Sequence, residues 1–227
     1  MSKLVFDIET IGEDFGKIDK ITQKILLKKA KTKEEKDGVK NKLVFSPFTG
    51  EIVAIGVLDV EKEKGAVYFQ APDKKIKEQE ENGVKLKAMS EPEMLKNFWH
   101  GAENYSEFIS FNGGGFDVPY LMIRSAIHKI RPSKNLMSNR YLGSQKFDSK
   151  HVDLMDQLAF YNQYNKTSLH LACRAFGIES PKAQGVAGDD VGKLFRAKKY
   201  LDIAKYNIRD LISTRELYEY WDEYLRF

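Results

Sequence analysis

Leu4-Val5-Phe6-Asp7-Ile8-Glu9-Thr10 is the stretch from which the fold is read. An apolar run carries two acids near its C-terminal end, so it reads as a buried strand. Alternate residues of a strand point to the same face. Asp7 and Glu9 therefore stand side by side at the rim of a core. Two close carboxylates repel and lose solvation there, so the bare pair is unfavourable. A divalent cation removes that cost. The pair reads as half of a metal site, and the other half must lie elsewhere in the chain.

Outward from this strand, apolar positions Ile18, Ile21, Ile25 and Leu26 predict one amphipathic helix in the Lys- and Glu-rich stretch 17–42. Residues 31–42 are read as its solvated tail or a mobile loop. Pro47 and Gly50 mark a turn, 51–60 a buried strand and 66–70 its hairpin partner. Residues 72–88 are charged and expected to be exposed. Ser90 and Glu93 form a capping box with Pro92 in the first turn, opening a helix to about Ala102. A strand over 107–111 ends in Asn112-Gly113-Gly114-Gly115. A helix follows over 118–129, and 151–154 reads as a short strand. Ser168 starts a helix that Gly177 closes, and 180–189 is a Gly-rich loop. The chain is then helical from about Val191, with 200–225 the long closing helix, broken near Tyr200. Strands come early and helices late, which predicts an α/β fold with a mixed central β-sheet flanked by helices. The expectation is a single domain over 1–227, with a Lys-rich helical insertion at about 14–48.

The 227 residues are 42% hydrophobic and 31% charged, ordinary for a soluble globular protein. No apolar run approaches the ~20 residues that span a bilayer, so no membrane association is expected. The N-terminus does not read as a signal peptide. One cysteine, Cys173, excludes an internal disulfide framework and any multi-cysteine zinc site. A reducing, cytoplasmic location is the expectation. The net charge of +4 is weakly suggestive of a polyanionic partner, and a Lys-rich solvated surface explains it equally well.

Three further acids come into view. Asp117 follows Phe111-Asn112-Gly113-Gly114-Gly115-Phe116, where glycines let the backbone turn tightly and approach a ligand. The alternative is that Asp117 only caps the next helix. Tyr206 and Asp210 are four residues apart and share a helix face, as do Tyr218 and Asp222. A nucleotide loop is a poor reading, because Val118 stands where Gly-x-Gly-x-x-Gly needs glycine. Gly192-Lys193 lacks the rest of a P-loop. Asp7, Glu9, Asp117 and Asp210 are hard oxygen donors suited to Mg²⁺ or Mn²⁺. Two ions ~3.5–4 Å apart can clamp the attacking and leaving oxygens of a phosphodiester displacement. Tyr206 would lie near the attacking water; with an ordinary pKa of ~10 it orients water better than it deprotonates it.

Phe-Asp-Ile-Glu-Thr, then Asn-Gly-x-x-Phe-Asp, then Tyr-x-x-x-Asp resembles, in order and spacing, the three motifs of the DEDDy 3′–5′ exonucleases. The match is closest to predicted exonucleases related to the proofreading domain of family B DNA polymerases. The likeness runs from Val5 to about Tyr220 and implies a ribonuclease H-like fold. It implies Asp7, Glu9, Asp117 and Asp210 as ligands of two Mg²⁺ or Mn²⁺ ions, with Asp7 bridging them, and Tyr206 as the residue that positions water. The run from Asp210 to Tyr218 looks like the family's continuation, which favours Asp210 over Asp222. Asn112 and Thr10 fall where family members approach the nucleic-acid strand. The implied substrate is single-stranded nucleic acid, DNA before RNA, cut from its 3′ end to nucleoside 5′-monophosphates. Segment 14–48 is longer than a minimal domain needs. No polymerase is joined to this chain, so proofreading in cis is not expected, and a polymerase or repair partner in trans is left open. The rivals are an exoribonuclease and a non-catalytic nucleic-acid-binding module of the same fold.

Other polar groups read as structural. Asp59/Glu61, Glu78/Glu80 and Glu91/Glu93 repeat the acid-x-acid pattern in charged stretches or helix starts, where solvation explains them. Nothing converges on His100, His128 or His170. His151-Val152-Asp153 reads as a strand with Asp153 hydrogen-bonded, Asp189/Asp190 as a helix cap, and Lys28, Lys29, Lys31 and Lys33 as a solvated run.

Overall fold

In the computed structural model, residues 2–184 and 188–226 are described. The opening stretch is β1 (Lys3–Gly12), the strand from which the other layers are built. It pairs antiparallel with β2 (Gly50–Asp59) and parallel with β6 (Glu107–Ser110). β2 pairs antiparallel with β3 (Lys64–Phe69), and β6 pairs parallel with β7 (Lys150–Asp153). The far edge is β5 (Val84–Ala88), parallel to β3, and β4 (Gln79–Glu81), antiparallel to β5. The result is a seven-stranded mixed sheet in the order β4-β5-β3-β2-β1-β6-β7. β5 corrects the expectation that 72–88 is exposed. Val84 and Leu86 are buried between outward-facing lysines, and this two-residue alternation is a strand signal that charge content masked.

Side chains alternate across β1 and feed two cores. Val5 joins one with α8 (Tyr200–Tyr224), α6 (Leu169–Phe176) and α7 (Val191–Arg196). Leu4, Phe6 and Ile8 join the other with α3 (Glu91–Ala102) and α4 (Asp117–Ile127). A five-residue helix, α5 (Leu154–Leu158), follows β7. α8 holds its stripe at helical spacing, with Ile203, Leu211, Leu217 and Trp221 all buried. Burial of such side chains contributes about 1.5–3 kcal/mol each. No described helix is long and apolar enough to cross a membrane.

Segment 14–48 forms two helices rather than one, α1 (Lys20–Leu26) and α2 (Lys33–Asn41). The break falls where Thr32 and Glu35 build a capping box that restarts the helix. Ile21 and Ile25 lie exposed, because no layer covers that side of α1. The segment closes on a 3-10 turn (Lys42–Phe45) packed against the end of β1. Of the loop expected over 180–189, residues 185–187 lie outside the described residues. Asp190 stands before α7 and pairs with Lys193.

Two acids expected to be solvated are buried and paired instead. Glu91 accepts from the Ile52 amide and from Arg124, and meets His128 at 2.7 Å. Asp59 accepts from the Lys62 amide and from the Tyr105 hydroxyl. Helix-start and strand-end positions do not reveal what packs over them, which is why sequence misplaced both. Tyr218 donates to Glu107, which Arg226 also holds. That places the Tyr218/Asp222 pair in a structural network, away from Tyr206 and Asp210.

Candidate active site

The parallel pairing of β1 with β6 stops at Val5–Ile109, while β1 runs on to Gly12. Its last residues therefore project beyond β6 into a crevice, beside the strand whose direction opposes β6. Ligands of open α/β sheets bind at such switch points. A one-residue irregularity in β2 sits opposite the step from Glu9 to Thr10, and bulges of this kind re-aim side chains.

Asp7 and Glu9 share the α8 face of β1. α8 brings Tyr206, Asn207 and Asp210 to the same place. Carboxylate oxygens of Asp7, Glu9 and Asp210 lie within 4.8 Å of one another. Asp117 and Tyr206 line the same cleft, together with Asn112 and Phe116. Asp117 is the first residue of α4, but its Oδ1 accepts from the Ile8 amide of β1 at 3.0 Å. The carboxylate is aimed at the motif strand rather than spent on capping α4. It stands outside the three-acid cluster, with one oxygen engaged.

Charge repulsion is written into the titration of these groups. Burial, then the neighbouring acids, holds Asp7 and Glu9 well above the ordinary carboxylate range. Burial pushes Asp117 and Asp210 up to about 7. Burial, then the charges of Asp210, Glu9 and Asp7, drives the Tyr206 phenol far above its ordinary value. Such a donor set, hard, anionic and without a lysine or arginine inside the cluster among the described residues, fits a divalent cation.

The remaining expected residues fall out differently. Asn112 lines the cleft and adopts a left-handed backbone (φ 66°). The Thr10 hydroxyl donates to the Val44 carbonyl at 3.1 Å, and Thr10 is buried. Its hydroxyl therefore anchors the end of segment 14–48.

Two residues carry roles that the sequence did not disclose. Asn207, fully buried, donates from Nδ2 to Asp7 Oδ2 at 2.7 Å. Its amide oxygen has no partner among the described residues. The signal was present: Asn207 interrupts the apolar stripe four residues after Ile203 and four before Leu211. Gly56 faces Asp7 across the β1–β2 pairing, and a Cβ there would stand 1.9 Å from Asn207 Oδ1. A lone glycine in a buried strand marks such a close approach.

Asp153 ends β7 and is hydrogen-bonded, as expected. It accepts from the amides of Asn112 (2.8 Å), Gly114 (2.9 Å) and Met155 (3.1 Å). It thus fastens the loop that delivers Asn112 and Asp117, and starts α5. Hydrogen bonds to a charged acceptor contribute about 1.5–3 kcal/mol each and add incompletely. Asp153→Ala is expected to lower stability by about 3 kcal/mol, read in urea unfolding. Amide exchange at 112–114 should accelerate; unchanged exchange there would remove Asp153 from this role.

Comparison with known proteins bears on this arrangement. Residues 49–224 match the family described as predicted 3′–5′ exonuclease related to the exonuclease domain of PolB. That span holds Asp117, Tyr206 and Asp210 and begins after Asp7 and Glu9. No curated protein sequence matches the chain. Among solved structures, the family B DNA polymerase from the hyperthermophilic archaeon Pyrobaculum calidifontis superposes with a TM-score of 0.62 at 16% identity. The alignment covers 97% of this chain and 24% of the polymerase chain. The fold is therefore the ribonuclease H-like α/β fold of a polymerase exonuclease domain.

Proposed function

The chain belongs to the family of predicted 3′–5′ exonucleases related to the exonuclease domain of PolB, and from that membership we propose that it hydrolyses single-stranded DNA from the 3′ end. The products would be nucleoside 5′-monophosphates. The observation that carries this reading is the convergence of Asp7, Glu9 and Asp210 within 4.8 Å, in a cleft that Asp117 and Tyr206 also line.

Asp7, Glu9 and Asp210, with the second oxygen of Asp117, would hold two Mg²⁺ or Mn²⁺ ions. When bound, the ions neutralise charge on the scissile phosphate and acidify the attacking water. The chain supplies the geometry around them. Asn207 fixes one oxygen of Asp7, so the carboxylate presents the other. The Ile8 amide does the same for Asp117. Burial and the neighbouring acids drive the Tyr206 phenol upward, which favours its protonated form. In that form it donates a hydrogen bond and orients a water, a role that suits it better than that of the base.

A strand labelled at its 5′ end should shorten stepwise with Mg²⁺ or Mn²⁺ and keep its label to the last step. Immediate release of the labelled nucleotide, or no shortening by folded protein, overturns the proposal. Tyr206→Phe is expected to lower kcat about a hundredfold, the cost of a misplaced nucleophile, with no change in the thermal shift caused by Mn²⁺. A lost alkaline limb in its pH–rate profile would instead make Tyr206 a titrating base.

A further inference from the structure

A second groove of about 590 Å³ opens from the acidic cleft, and Ile8, Glu9 and Phe116 line both. One wall is the turn at the end of segment 14–48, the other is α7. Phe45 lies on the first wall, 61% exposed, its ring 6.4 Å from that of Phe116. Lys40 flanks it, and Lys193 and Arg196 face it from α7. Glu13 is the one acid among the described lining residues outside the metal cluster.

The Phe45 wall is rigidly docked. Val44 accepts from Thr10 of β1 and from the Tyr120 hydroxyl of α4, which also reaches the Ser46 carbonyl. Leu43 is buried, and a Cβ on Gly12 would stand 2.8 Å from the Val44 amide. Beyond its edge contact with Phe116, the Phe45 ring leaves most of its surface open on an otherwise anchored turn. Lys40 pairs with Asp37 only at the surface, a contact weak enough for a phosphate to displace. No ion pair holds Arg196 among the described residues. Exposed aromatic faces beside spaced cations, leading to a hydrolytic centre, match the chemistry of a single strand.

We propose that this groove carries single-stranded DNA to the acid cluster, with Phe45 stacking on a base and Lys40 and Arg196 holding phosphates. The Lys-rich segment 14–48 is then a strand-binding wall. This rests on reading the acidic cleft as the hydrolytic site, and the test separates the two.

Binding of a 5′-fluorescent oligodeoxythymidylate of about ten nucleotides, a length within the range of known single-strand sites, is measured by anisotropy with Ca²⁺ present. Phe45→Ala should raise Kd about tenfold, the loss of one stacked base. Phe48→Ala, an exposed ring of the same turn outside the groove, should bind like wild type. Arg196→Gln should reduce the dependence of log K on log salt by about 0.7, one phosphate contact. The same preparations are then assayed for hydrolysis with Mn²⁺. Phe45-dependent binding without hydrolysis keeps the groove and removes the exonuclease reading. Hydrolysis with equal binding by Phe45→Ala and wild type, or no binding of the strand by wild type, overturns the groove.

Discussion

Asp7→Asn is expected to abolish metal-dependent hydrolysis and, in the absence of metal, to stabilise the protein. The two effects share one cause. Metal-held charge at a transferring phosphate is worth several kcal/mol, and each 1.36 kcal/mol is tenfold in rate. Loss of this proposed metal ligand should therefore lower kcat by about a thousandfold or more. Asparagine keeps the shape and can still accept from Asn207, so the fold is retained. In the folded chain, Asp7 and Glu9 lie well above their ordinary values, and Asp117 and Asp210 at about 7. Unfolded carboxylates titrate near 4. Between those values the folded state binds more protons, so stability falls as pH rises from about 4 through 7 and goes on falling until Asp7 and Glu9 have also lost their protons. Buried His151, held low by desolvation, works the opposite way, but it is common to both proteins. Melting in EDTA should thus drop from pH 5 to pH 8 in wild type and drop less in Asp7→Asn. Mn²⁺ should raise the wild-type Tm more at pH 8 than at pH 5, because the ion replaces the protons. A variant that melts below wild type at pH 8 in EDTA would show that Asp7 is a structural anchor, not a strained ligand.

Gly56→Ala is expected to damage both stability and activity from a position that touches no substrate. The new Cβ would stand 1.9 Å from Asn207 Oδ1 and 2.8 Å from Leu211 Cδ1. Asn207 sits in mid-helix on the buried face of α8 and cannot swing into solvent. Either α8 lifts from β2 or the amide turns and releases Asp7. Overpacking of this kind costs about 1–3 kcal/mol, and the misplaced carboxylate should lower kcat at least tenfold. Adding Asn207→Ala opens the space, so the double variant should regain most of the lost stability but not the lost activity. A double-mutant cycle measures that coupling. If Gly56→Ala is neutral in both assays, or if the two substitutions simply add, the Gly56–Asn207–Asp7 contact has no consequence.

These two residues show where sequence reasoning stopped. Asp7, Glu9, Asp117, Tyr206 and Asp210 were legible because their neighbours betray them. Acids inside an apolar strand, an acid after a glycine turn and a tyrosine one helical turn before an aspartate are all local patterns. Asn207 and Gly56 each carry a local irregularity, but their meaning exists only when β2 and α8 are laid against each other. Burial of Glu91 and Asp59 was misread for the same reason: nothing at positions 90–93 or 59–62 tells that Arg124 or Tyr105 will arrive.

By itself, the sequence determined the alternation that gives β1 two buried faces, and with it the shared face of Asp7 and Glu9. It also determined the three-motif order that places acids at both ends of the chain. Side-chain periods of two and 3.6 residues are local properties, so they survive without a structure. Only the tertiary structure decided which acids meet within 4.8 Å, that Asp117 spends one oxygen on Ile8, and that Thr10 anchors Val44. It also decided that segment 14–48 ends against the groove that adjoins the acidic cleft. Those outcomes depend on contacts between residues tens to hundreds of positions apart, where packing chooses among partners that local spacing treats alike.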